Sequence, residues 1–251
     1  GLVERVEIVK ARLSAPGYGN QSGTISVSGG ILRDSSVTDT VLTGYGVRGG
    51  GLYQTGGLVT NCTFRACFNS GSSTEGNSYG GGAYLSGGTV VASRFVDGGI
   101  SKNTSKITAK YGAAAYVTGT ATVRNCLFAG NTSALNCPGV HVASANATID
   151  NCTIADNAIL AAGVANPYQL YYEANAKVRN TILFGTADGM SDLSNPGAEN
   201  VTNCRFKEAT DDSRGNLADD PKFRSDYRIW RSSPCVDAGA VLNWHDGGTT
   251  D

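Results

Sequence analysis

Five short blocks of this chain, GGGLY, GGGAY, GAAAY, PGVHV and YQLYY, end on Tyr53, Tyr84, Tyr116, Val142 and Tyr172. A column of such rings facing solvent would stack on pyranose rings and leave its hydroxyls for polar contacts, whereas facing inward it would be core. Gln54 and Glu173 beside it argue for tyrosines inside; Leu52, Ala83 and Ala115 argue the opposite. A second set is ionic. Arg124, Asp150 and Arg179 occupy equivalent places in successive repeats, which suits pairing between neighbouring strands. Arginine in such a row also matches carboxylate or sulfate with two parallel hydrogen bonds. Lys102, Lys106 and Lys110 lie in the loop 97–111, where they could meet an acidic sugar, a partner's carboxylates or only water. Tyr53, Tyr84, Tyr116, Tyr172, Arg124, Arg179 and these lysines are the candidates for glycan binding.

Catalytic chemistry has less to draw on. A lyase needs a base beside a uronate, and a hydrolase needs two carboxylates about 5 Å or roughly 6.5–9.5 Å apart. Asp97, Asp150, Asp156 and Glu173 fall in different places of the repeat, and the two histidines are His141 and His245. No pair among them specifies an active site, so no catalytic residue is assigned. Zinc would need clustered CxxC or His-rich spacing, which is absent. No metal or cofactor is expected, and calcium stays open without a motif that calls for it.

The elements that position these residues are repeats. VTNCTF at 59–64 returns as VVASRF, VRNCLF, IDNCTI, VRNTIL and VTNCRF, with LRDSSV at 32–37 as a degenerate first copy. The copies start 23 to 33 residues apart, which marks a solenoid of stacked units. Within a copy the first position is aliphatic, the third mostly Asn, the fourth Ser, Cys or Thr, and the sixth Phe, Ile, Leu or Val. Side chains of a strand alternate, so positions one and three are expected to share the inner face. Positions four and six then also face inward after a change of phase at the Asn, which tolerates left-handed backbone. Asn61, Asn125, Asn151, Asn180 and Asn203 are thus expected to form an internal amide ladder, about 4.8 Å per rung. Cys62, Cys126, Cys152 and Cys204 are expected as small buried fillers. The blocks ending on tyrosine add a third strand per turn. Three short parallel strands in 23–33 residues give an all-β parallel β-helix of about seven or more coils.

These blocks resemble right-handed parallel β-helix repeat proteins of the pectate-lyase-like superfamily. In particular they resemble bacterial surface repeats of the form GGG-x-Y…G-x-x-x-NC-T-[FI]-x-x-N, of the polymorphic outer-membrane and adhesin-like types. The ends at 128–131 and 154–157 match F-x-x-N, whereas Cys67, Gly98 and Thr186 stand where others carry that Asn. The resemblance covers roughly residues 20–210 and implies a right-handed, single-stranded β-helix. The stretch 218–239, with Asp220-Pro221, Phe223, Asp226-Tyr227 and Ser233-Pro234-Cys235, is similar to endings that follow bacterial β-helix arrays. Accordingly 1–210 is expected as the solenoid and 211–251 as a cap packing on the last coil, which would shield open strand edges.

Insertions collect before the tyrosine blocks, at 68–79 and 97–111 above all, and such loops often make the working face of a repeat fold. The net charge of -1 supplies no basic stripe for nucleic acid. No apolar run approaches the roughly 18 residues of a membrane span. The N-terminal stretch lacks the apolar core of a signal peptide and reads as a mature end or as part of something longer. The expectation is an extracellular or cell-surface bacterial module, monomeric as an isolated domain, serving adhesion or glycan binding without catalysis. The alternatives are a polysaccharide lyase or glycoside hydrolase acting on acidic glycans, and a structural spacer.

Overall fold

The computed structural model describes residues 1–15, 23–44, 46–71, 78–101, 110–134, 137–160, 167–173, 175–185, 187, 189–210 and 213–242. The chain winds as a right-handed coil, and three parallel sheets carry its successive passes. The first sheet stacks eight strands, including Leu58–Thr60, Thr89–Val91, Thr122–Arg124 and Thr148–Asp150. The second holds the strands that follow the corner, such as Arg94–Val96 and Leu127–Ala129; the third holds Leu52–Gln54, Ala83–Leu85, Ala115–Val117, Val140–Val142 and Tyr168–Tyr172 among others. Register follows the sequence columns: Val59, Val90, Val123, Ile149 and Val178 pair in turn, and so do Phe64, Phe95, Phe128 and Ile154. The phenyl rings stack 4.8 and 5.1 Å apart at nearly parallel planes. All these residues are buried in one continuous core.

The corner between the first two sheets is built from the third repeat position. Asp34, Asn61, Ala92, Asn125, Asn151, Asn180 and Asn203 all have φ between 48° and 51°. Their direction corrects the expectation: Asn61 and Asn125 are exposed, and Asn151, Asn180 and Asn203 are half-buried. The left-handed residue is itself the change of phase, so its side chain leaves the coil while position four turns in. Asn61 donates to the Asp34 carboxylate at 2.6 Å, and Asn180 exchanges two hydrogen bonds with the backbone of Ala240.

The internal ladder lies one corner later, on the asparagines that close F-x-x-N. Asn131 donates from Nδ2 to Asn157 Oδ1 at 2.9 Å, and Asn157 Nδ2 donates to Gln169 Oε1 at 2.8 Å. The backbone N–H groups of Gly98, Asn131 and Asn157 donate to Asn131, Asn157 and Gln169 in turn. All three side chains are fully buried, so each amide answers a donor or carbonyl that water cannot reach.

Position four shows why Ser, Cys and Thr interchange. Ser35, Ser93 and Thr181 hydroxyls, and Cys62, Cys126, Cys152 and Cys204 thiols, each donate to the carbonyl two residues earlier. Among the described residues every cysteine is a free thiol. Burial pushes the Cys67 thiol up to about 11 and those of Cys137 and Cys204 up to about 12. They stay protonated and act as small, weakly polar packing groups.

After the last coil the chain forms a hairpin, pairing Phe223 with Ile229, that lies along the outer face of the second sheet. Arg205, buried, ties the coil to this tail. Its guanidinium donates to Leu183 and Asp192 on one side and to the carbonyls of Ala218 and Asp219 on the other.

Candidate functional site: an aromatic corner

The third sheet decides the tyrosine question by its register. Leu52, Ala83, Ala115, Val140 and Leu170 form one inner row, and Leu85, Val117, Val142 and Tyr172 belong to another. The row between them, pointing away from the core, is Tyr53, Tyr84, Tyr116, His141 and Tyr171. Tyr172 is therefore not part of the outer column; it lies in the core, its hydroxyl donating to the Ala176 carbonyl at 2.9 Å. Aligning the five-residue blocks by their ends misplaces the last two by one residue, and a shift of one turns a side chain to the opposite face.

The outer rings stack along the solenoid. Tyr53 and Tyr84 are 5.4 Å apart, Tyr84 and Tyr116 are 5.5 Å apart, and both pairs are within 11° of parallel. Beyond Tyr116 the series continues with tilted contacts, at 4.9 Å to His141 and 4.8 Å from there to Tyr171.

A second aromatic column faces the first. Strands Ser78–Tyr79 and Lys110–Tyr111, where the two long insertions rejoin the coil, pair in parallel, and Arg48 continues the row by bridging to Tyr79. Tyr79 meets Tyr116 edge-on at 4.8 Å, and Tyr111 meets His141 edge-on at 4.9 Å. Tyr53 and Tyr84 are thereby mostly covered, while Tyr79, Tyr111, Tyr116 and Tyr171 remain half-buried. The two columns join at a glycine corner. At Gly80, φ is 62° and an added Cβ would sit 1.8 Å from the Ala83 carbonyl oxygen. Only glycine allows the rings to converge there. Arg48, Tyr79 and Tyr111 each precede a column tyrosine by five residues, a spacing present in the sequence but hidden inside apparent loops.

The far end of the corner is polar. His141, almost wholly buried, holds Glu173 Oε2 from Nε2 at 2.7 Å, and its buried Nδ1 has no hydrogen-bond partner. Desolvation lowers the imidazole below its ordinary pKa, and the Glu173 carboxylate opposes that in part. Burial and the neighbouring phenols raise the Tyr116 hydroxyl to about 12, so it is a neutral donor or acceptor throughout the physiological range.

The remaining candidates lie apart from the aromatic corner. Arg124 and Arg179 both converge on Asp150, which is fully buried; Arg179 bonds it bidentately at 2.8 and 2.9 Å. That arrangement is a structural clamp on the outer face of the first sheet. Lys102, Lys106 and His245 lie outside the described residues, and of Lys110 only the backbone is described. Asp97 and Asp156 share one column at the next left-handed corner with Gly130 between them; Asp97 pairs with Arg65, and the Tyr227 phenol bonds Asp156. Among the described residues no cluster of His, Cys, Asp or Glu could hold a metal ion, and no helix is long and apolar enough to cross a membrane.

Residues 96–217 match the family model described as a right handed beta helix region. No curated protein and no solved structure matches the chain.

Proposed function

We propose that this right-handed parallel β-helix serves as a non-catalytic module that binds glycan through its aromatic corner, for adhesion at a bacterial cell surface. The observation that carries this reading is the outward, stacked column from Tyr53 to Tyr171 meeting a second column of tyrosines. Half-buried phenol rings give apolar faces for sugar C–H groups and edges for sugar hydroxyls. Rungs about 4.8 Å apart would let an extended chain run along the solenoid axis.

A glycan array, paired with titration of the best ligand, tests the reading. Tyr116→Ala and Tyr111→Ala should each weaken binding about fivefold, the loss of roughly 1 kcal/mol of ring contact. A protein silent on every glycan would overturn the reading in favour of a spacer. One observation favours catalysis instead: His141 is oriented by Glu173 and keeps a free Nδ1, as a general base would. The rings of Tyr111, Tyr116 and Tyr171 close around that imidazole, which is why binding leads. Appearance of unsaturated uronate products from any polyuronate would reverse the order.

A further inference from the structure

We propose that Arg48 is an anion subsite of the aromatic corner, taking the carboxylate or sulfate group of a sugar whose ring lies along the Tyr79 column. This rests on the glycan-binding reading and narrows it to negatively charged glycans.

The guanidinium carbon of Arg48 lies 5.0 Å from the Tyr84 ring centroid and 5.7 Å from that of Tyr79, so the cation is laid over the same rings that would hold the sugar. Several arginines elsewhere on the solenoid have a carboxylate: Arg12 has Asp39, Arg65 has Asp97, Arg179 has Asp150, and Arg205 has Asp192. Arg48 forms no ion pair among the described residues, and its buried Nε has no hydrogen-bond partner. A buried donor without an acceptor is unfavourable. Attraction to the ring faces stabilises the charge but supplies nothing in the guanidinium plane. A carboxylate or sulfate does, with two parallel N–H···O bonds. Among the described residues the negative group on this face is Glu173, which is held by His141 three rungs from Tyr53, roughly 14 Å along the axis, and does not compete for the guanidinium. The corner is therefore polarised, cationic at the Arg48 end and anionic at the Glu173 end, so an acidic chain would bind with its charged group at the former.

The test titrates the full chain and two variants, Arg48→Ala and Arg48→Lys, with a hyaluronate oligosaccharide (carboxylate), a dextran sulfate oligomer (sulfate) and neutral cellohexaose. Expected is a preference of the native protein for one or both anionic probes. Arg48→Ala should weaken that probe about tenfold and more than it weakens cellohexaose, and Arg48→Lys should recover only part. Which anionic probe responds identifies the source of the charge. Thermal melts of both variants, unchanged from the native protein, guard against a folding defect; should Arg48→Ala fail to fold, Arg48→Lys against the same probes decides. Equal affinity of native protein and Arg48→Ala for every anionic probe, with Tyr116→Ala still weakening them, overturns the subsite and leaves glycan binding standing. Absence of binding to all three probes by the native protein overturns the subsite, and silence on the whole glycan array overturns the reading beneath it as well.

Discussion

His141 shows how one side chain links the aromatic corner to stability. Burial lowers its pKa, so the folded state favours the neutral ring, while the unfolded chain titrates near 6.5. Stability from this residue is complete above about 6.5 and is lost as pH falls from there toward the depressed folded value, because the unfolded state then binds the extra proton. Melting temperature should fall between pH 7.5 and 5.5, and His141→Gln should flatten that part of the profile. A profile identical in native protein and variant would show that the Glu173 bond cancels the burial. Asp150 presents the opposite design: a buried carboxylate shared by two half-exposed arginines, where removal of the acid would strand both cations.

At the scale of elements, the two asparagine columns are separable by mutation. Asn131→Ala would leave the backbone N–H of Gly98 without its acceptor in the core and take one donor from the carbonyl of Phe95, and should cost about 3 kcal/mol by denaturant unfolding. Asn125→Ala removes an exposed amide, and the Ala92 rung already shows alanine at that left-handed corner, so its cost should stay near 1 kcal/mol. Equal losses would contradict the assignment of inner and outer ladders. This contrast also marks what the residues alone could tell. Burial dictated positions one, four and six, so Val59, Cys62 and Phe64 read correctly as core. The left-handed corner was legible in Asn61, but its side-chain direction was not, because the phase change falls on that residue rather than after it. On the third face Val142 and Tyr172 looked like column members, since the flanking small residues fit either register. Arg48, Tyr79 and Tyr111 are not legible as a column because their strands are brief and sit at the ends of insertions.

Across the whole molecule, each coil is held by its neighbours, and the last is held by the tail. Phe223 packs edge-on against Phe184 at 5.6 Å, and Ala240 engages Asn180. Deleting everything beyond Leu217 removes the Ala218 and Asp219 carbonyls that accept from the buried Arg205 and uncovers Phe184 and the outer face of the second sheet. The shortened protein should lose roughly 2–4 kcal/mol and self-associate in light scattering, whereas a monomer of native stability would show the tail to be ornamental.

The thiols of position four carry a consequence for where such a chain can fold. Each is capped by the same carbonyl that caps a hydroxyl on the neighbouring rung, and no crosslink contributes to the described coils. Sulfur and oxygen serve as equivalent spellings of one contact. The solenoid therefore assembles without an oxidant and should be indifferent to the redox state of its surroundings.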